Sequence, residues 1–161
     1  MWNAVSYFEA LNGKLKLTKG KYTFCRVTGL NNVEDVLANM TKTKAFLAVD
    51  DTDDGATIRR SGGGYFNRRA VVVYLLQKYD IKSQTDRETK VNECRSIYSK
   101  LLAKLIKDST AVDDLQFLDK SRIPYHEFPG MFAAETCGLY FIITLDEPIN
   151  LVYDATDWDE N

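Results

Sequence analysis

The sequence predicts an α+β fold: a mainly antiparallel sheet with one long helix and shorter helices packed on one face. Two observations predict the sheet. Leu139, Phe141, Ile143 and Leu145 alternate with Tyr140, Ile142 and Thr144 near the end of the chain, and Ala70 to Leu76 is apolar throughout. Strict alternation marks a half-buried strand, and a short continuous apolar run marks a central one. The third observation is the segment Ser83 to Lys107, the best amphipathic helix in the chain, which separates two pairs of strand candidates. One such helix between strand pairs points to a single sheet covered by helices.

The elements follow in order. Trp2, Val5, Phe8 and Leu11 recur at helical spacing, and Asn12-Gly13 reads as the end of that helix, with Gly13 as a left-handed cap. Tyr22 to Thr28 is rich in aromatic and β-branched residues and reads as a strand. Asn31 or Asn32 caps a short helix running to Met40, with Val33, Val36, Leu37 and Met40 on one face. Lys44 to Asp50 is the second strand. Asp51 to Gly64 reads as a flexible loop or an extended hairpin arm, mobile over about residues 51–64. Tyr65 to Tyr79 is the longest strand, with a polar first half that projects from the sheet and an apolar second half at its centre. The long helix starts with Thr85 and Glu88 in capping-box spacing. Its buried stripe is Val91, Cys94, Tyr98, Leu101 and Leu105, widened by Ile97, Leu102 and Ile106, and Lys100, Lys104 and Lys107 suit its negative end. A loop around Asp113 and Asp114 leads to two closing strands, the first polar and aromatic-bearing from Ser121, the second alternating. The tail, about residues 154–161, is acidic and reads as frayed. The predicted order is α–β–α–β–β–α–β–β.

A length of 161 residues favours one domain. The net charge of −2 gives no overall attraction to nucleic acid, so no sequence-specific nucleic-acid binding is expected. Three cysteines, Cys25, Cys94 and Cys137, lack metal or disulfide spacing and suit a reducing compartment. No apolar run approaches the roughly 20 residues that span a bilayer, so no membrane partner is expected.

The chemical motifs are weak. Asp50, Asp51, Asp53 and Asp54 form an acidic cluster that oxygen-ligating cations favour, but its glycine falls too early for an EF-hand loop. Ser61-Gly62-Gly63-Gly64 precedes a strand and has no following lysine, unlike a phosphate loop. His126 is the only histidine, and alternation alone brings it towards Cys137 without a third orienting group. No metal, cofactor or catalytic residue is therefore assigned, and a non-enzymatic protein is expected. Arg59, Arg60, Arg68 and Arg69 flank the glycine run; in a hairpin these four form a basic tip beside the acidic turn. Together the four aspartates and four arginines are the candidate interface residues, since arginine is favoured at protein contacts.

The order of elements resembles that of tailed-phage tail-terminator and tail-completion proteins. The resemblance is carried by Arg68 to Asp80 (RRAVVVYLLQKYD), the helix from Asp86 to Lys107 and the ending Gly138 to Pro148 (GLYFIITLDEP). It implies a non-enzymatic virion-assembly subunit that forms a homo-oligomeric ring, commonly hexameric, at the tail end or head–tail junction. Its implied partners are tail-tube and head-completion proteins, and its implied place is the virion, or the host cytoplasm during assembly. The competing readings are a metal-dependent enzyme acting on nucleotides or nucleic acid through Asp50 to Asp54, and a small protein-binding regulator.

Overall fold

The computed structural model describes residues 2–29, 33, 35, 38, 44–111, 113–128 and 135–159. Among the described residues, two α-helices, α1 (Ala4–Lys14) and α2 (Gln84–Asp108), accompany five strands: β1 (Thr23–Val27), β2 (Ala45–Arg59), β3 (Tyr65–Lys78), β4 (Tyr125–Glu127) and β5 (Thr136–Ile149). The strands form one sheet in the order β1-β2-β3-β5-β4. Three neighbouring pairs are antiparallel, and β1 runs parallel to β2. The mixed α+β fold and mostly antiparallel sheet are those expected from the sequence. The predicted helix from Asn32 to Met40 lies outside the described residues except at positions 33, 35 and 38.

Both helices lie on one face of the sheet. Phe8 and Leu11 of α1 and Cys94, Ile97, Leu101 and Leu105 of α2 share one core with Leu47, Val73, Leu139, Phe141 and Ile143. The alternation read from the sequence has this cause: odd-numbered residues of β3 and β5 face the helices. Even-numbered ones form a second, smaller cluster on the opposite face, where Phe46, Tyr74 and Leu76 pack with Val27 and Val33.

Element ends differ from expectation for local reasons. Helix α1 continues through Gly13 to Lys14, and its C-cap, Leu15, is extended. The glycine cap is replaced by side chains: the Thr18 hydroxyl donates to the Asn12 carbonyl (2.8 Å), and the Asn12 amide donates to the Tyr22 carbonyl (2.9 Å). Helix α2 is capped by Ser83, whose hydroxyl accepts from the Asp86 N–H (3.1 Å), so Thr85 lies inside the first turn and the T-x-x-E box is not used. The carboxylate of Asp86 reaches back to the Asp80 N–H instead (2.9 Å), which satisfies a donor before the helix.

Strands β2 and β5 exceed their expected lengths, and β3 ends one residue before the expected Tyr79. Strand β2 runs on from Asp50 to Arg59, and β3 is paired over its whole length, to β2 on one side and β5 on the other. The polar half of β3 is thus the central strand of a three-stranded arm. That arm extends past β1, which ends opposite Asp50, and past β4, which pairs only with Leu139 to Phe141.

Candidate assembly interface

The arm is built from the segment that carries the candidate interface residues. Its base is an irregularity in β2. Asp50 lies opposite Val72 and Asp54 opposite Ala70, so residues 51–53 face Val71 alone. Such a bulge bends and twists its strand. Asp50 holds it in place. This residue is only 8% exposed. Its carboxylate accepts from the Gly29 N–H (2.8 Å), the Thr52 N–H (3.0 Å) and the Thr52 hydroxyl. It thereby ties the chain leaving β1 to the bulge, and a buried carboxylate needs that many donors. Asp51 takes two bonds from Arg26 (2.9 and 3.3 Å) at the surface.

The tip is the glycine run. Gly63 and Gly64 have φ of 83° and 86°, and the Gly63 N–H bonds the Arg60 carbonyl (3.0 Å). Two successive left-handed residues are cheap only for glycine. The run therefore makes the hairpin turn between β2 and β3.

The four arginines do not gather at the tip. Arg59 lies over the Tyr65 ring at 5.9 Å and Arg60 over the Phe66 ring at 5.0 Å. Arg68 and Arg69 are successive strand residues and point to opposite faces. Arg69, 7% exposed, enters the helix-covered side. There it donates to the Trp2 carbonyl (2.8 Å) and approaches Glu147 (3.7 Å), while its Nε has no partner among the described residues. Arg68 donates twice to Asp146, its register partner on β5 (2.7 and 2.8 Å), and Arg60 donates to the same carboxylate. Asp119 adds a longer contact to Arg68 at 3.6 Å.

Asp146 escaped the sequence reading. It sits in the closing strand segment Gly138 to Pro148 without having been singled out, and only the β3–β5 register reveals it as the carboxylate opposite Arg68. The Arg68 and Arg60 guanidiniums hold its carboxyl below the ordinary value of 3.8. A depressed carboxyl contributes stability that is present above its unfolded value and lost as pH falls through the folded one. Asp146→Asn is therefore expected to lower unfolding free energy at pH 7 by about 1–2 kcal/mol. That gap should close below about pH 4. Denaturant titration of both proteins at pH 7 and pH 3 checks this, and an equal gap at both would contradict it.

On the same face of the sheet as Asp146, away from the helices, His126 stacks on Tyr140 at 5.1 Å, beside Tyr74 and Phe128. Cys137 is an odd-numbered residue of β5, opposite Gln77, and so lies on the face away from His126. The alternation that suggested a thiol–imidazole pair in fact separates the two. Burial pushes the Cys25 thiol up to about 11 and the Cys94 thiol up to about 12, so both are neutral packed groups at pH 7. Among the described residues no three His, Cys, Asp or Glu side chains gather as a metal site. No described helix is long and apolar enough to cross a membrane.

One edge of the arm is open. Strand β1 covers β2 from Phe46 to Asp50, and among the described residues no backbone pairs with the outer side of Asp54 to Arg59. The other edge is partly covered. Leu118 bridges Leu145, the Asp119 N–H bonds the Thr144 carbonyl (2.8 Å), and Pro148, which has no N–H to donate, lies near the end of β5. Proline in a sheet is typical of an edge that takes no partner. No protein-family model matches the sequence, and no curated protein matches it.

Proposed function

We propose that this chain is a non-enzymatic structural subunit of a tailed phage or prophage, a tail terminator or tail-completion protein that assembles into a ring. The ring sits at the tail end or the head–tail junction, and its further partners are tail-tube and head-completion proteins. The observation that carries the reading is the open outer edge of β2 from Asp54 to Arg59. Monomeric proteins normally blunt or cover such an edge, because its free N–H and C=O groups recruit another backbone. Here one side of the arm is open and the other is covered, so the two sides differ. Contacts between unlike surfaces are head-to-tail, and they close into rings when the rotation permits. The particular place in a phage tail comes from the resemblance drawn from the sequence.

The arm's charges set a role for Arg59. Asp50, Asp51, Arg60, Arg68 and Arg69 all have partners within the chain. Arg59 is exposed and touches only the face of Tyr65 among the described contacts. Arg59→Glu is expected to weaken assembly several-fold, and more at low salt, where exposed charges are least screened. Sedimentation velocity across a concentration series, with images of particles assembled from each variant, checks this. A chain that stays monomeric when concentrated, with variant and parent equal in particle assembly, would remove the reading's support.

A further inference from the structure

The two helices leave a cleft between them on their outer side. It has a volume of about 200 Å³ and is lined by Leu11, Lys14, Leu15, Lys100, Leu101 and Lys104. Three leucines give it an apolar floor, and three lysines rim it. The chain also carries a segment of opposite character. After β5, Leu151, Val152 and Trp158 are 55%, 79% and 62% exposed. The Tyr153 ring stacks on Trp158 at 6.1 Å. Asp154 caps a short 3-10 turn, Ala155–Asp157, by accepting from the Thr156 N–H (2.9 Å) and hydroxyl (2.7 Å). Asp157 and Asp159 add negative charge beside the aromatic pair. Large apolar side chains exposed together mark a contact surface. Aromatic residues with flanking acids match a basic-rimmed apolar cleft in both polarity and charge.

We propose that residues 151–159 of one copy dock into the α1–α2 cleft of a second copy. This contact rests on the ring-subunit reading, which supplies the second copy. The chain's own cleft is poorly placed. Ile149 lies opposite Tyr65 at the arm tip, whereas Phe8, one helical turn before Leu11, packs on Phe141 opposite Val73. Those levels are eight strand positions apart, roughly 26 Å. The nine residues that follow Ile149, up to Trp158, span roughly 30 Å only when fully extended. Reaching its own cleft would therefore undo the Asp154-capped turn, while a neighbour's cleft leaves that turn intact.

The test uses full-length protein grown with nitrogen-14 or nitrogen-15, mixed dilute, concentrated, and cross-linked with a carbodiimide that joins carboxylates to lysines directly. Mass spectrometry is expected to find Asp157 or Asp159 joined to Lys14, Lys100 or Lys104 in heavy–light pairs. A Lys14→Glu/Lys100→Glu variant with an unchanged thermal melt should need about tenfold more protein for half-assembly. Adding Asp157→Lys/Asp159→Lys to it should restore the parent concentration. Cross-links confined to same-isotope pairs, or assembly indifferent to these changes, would overturn the docking contact and leave the ring standing. A chain that stays monomeric at every concentration would overturn both.

Discussion

Gly138→Ala is expected to unfold or severely weaken the sheet, although it adds one methyl group. Gly138 has φ of 144°, and a Cβ built there would lie 2.0 Å from the Leu75 carbonyl oxygen and 3.0 Å from its carbon. Both are backbone atoms of β3, paired through Leu76 to Gly138 itself, so they cannot swing aside like a side-chain end. The other side is fixed too, because the Phe128 N–H bonds the Gly138 carbonyl (3.0 Å). Backbone strain of about 1–3 kcal/mol adds to overpacking of about 1–3 kcal/mol. Together these are a large fraction of the stability of a typical domain. Gly62→Ala is the matched control, since nothing lies within 4 Å of its added carbon. Urea titration should show Gly62→Ala near the parent and Gly138→Ala far below it or insoluble. Equal midpoints would show that the β3–β5 contact yields easily.

Phe141→Ala carries the second large effect. Phe141 is fully buried. Its ring meets Phe8 of α1 at 6.1 Å and Tyr98 of α2 at 5.1 Å, and its backbone is paired with Val73 and Tyr125. One side chain therefore joins both helices to the centre of the sheet. Truncation leaves a void walled by a sheet and two helices that are pinned elsewhere, so collapse into it is limited. The expected cost is about 3–5 kcal/mol. At this chain length that lowers Tm by roughly 10 °C. Calorimetry of the variant measures it, and a loss below about 1 kcal/mol would mean that the helices close the gap.

The parts of this fold that could be read in the sequence are those set by periodicity. Leu139, Phe141, Ile143 and Leu145 are all buried on the helix side, as their alternation required. The stripe of α2 was nearly as plain: Val91, Cys94, Ile97, Leu101 and Leu105 are buried, whereas Ile106, read as widening it, is 41% exposed. Pairing partners were not legible. Nothing local to Thr23–Val27 distinguishes a parallel neighbour from an antiparallel one, and its pair with β2 is parallel. The acidic cluster misled for a similar reason. Asp50 looked like one of four equivalent surface carboxylates, yet its position opposite Val72, just before the bulge, makes it a buried acceptor. Burial of a charge depends on donors brought from elsewhere, here Gly29, and such donors leave no mark in the neighbouring residues. Arg68 and Arg69 behaved likewise. The sequence placed them side by side, and the pleat sent one to Asp146 and the other to the Trp2 carbonyl.

The irregularity at the base of the arm has a consequence for how this segment changes length. Between Asp50 and Asp54, β2 advances two residues more than β3 does, so side-chain direction is the same before and after it. Removing or adding a pair of residues there keeps Ala56 and Ile58 on the side they now occupy. Removing one leaves two residues opposite Val71, the ordinary form of a bulge, and the pairing beyond it keeps Thr57 and Arg59 on their present sides. Residues gained or lost at this point are thus absorbed by the irregularity, and the arm beyond it keeps its register with β3.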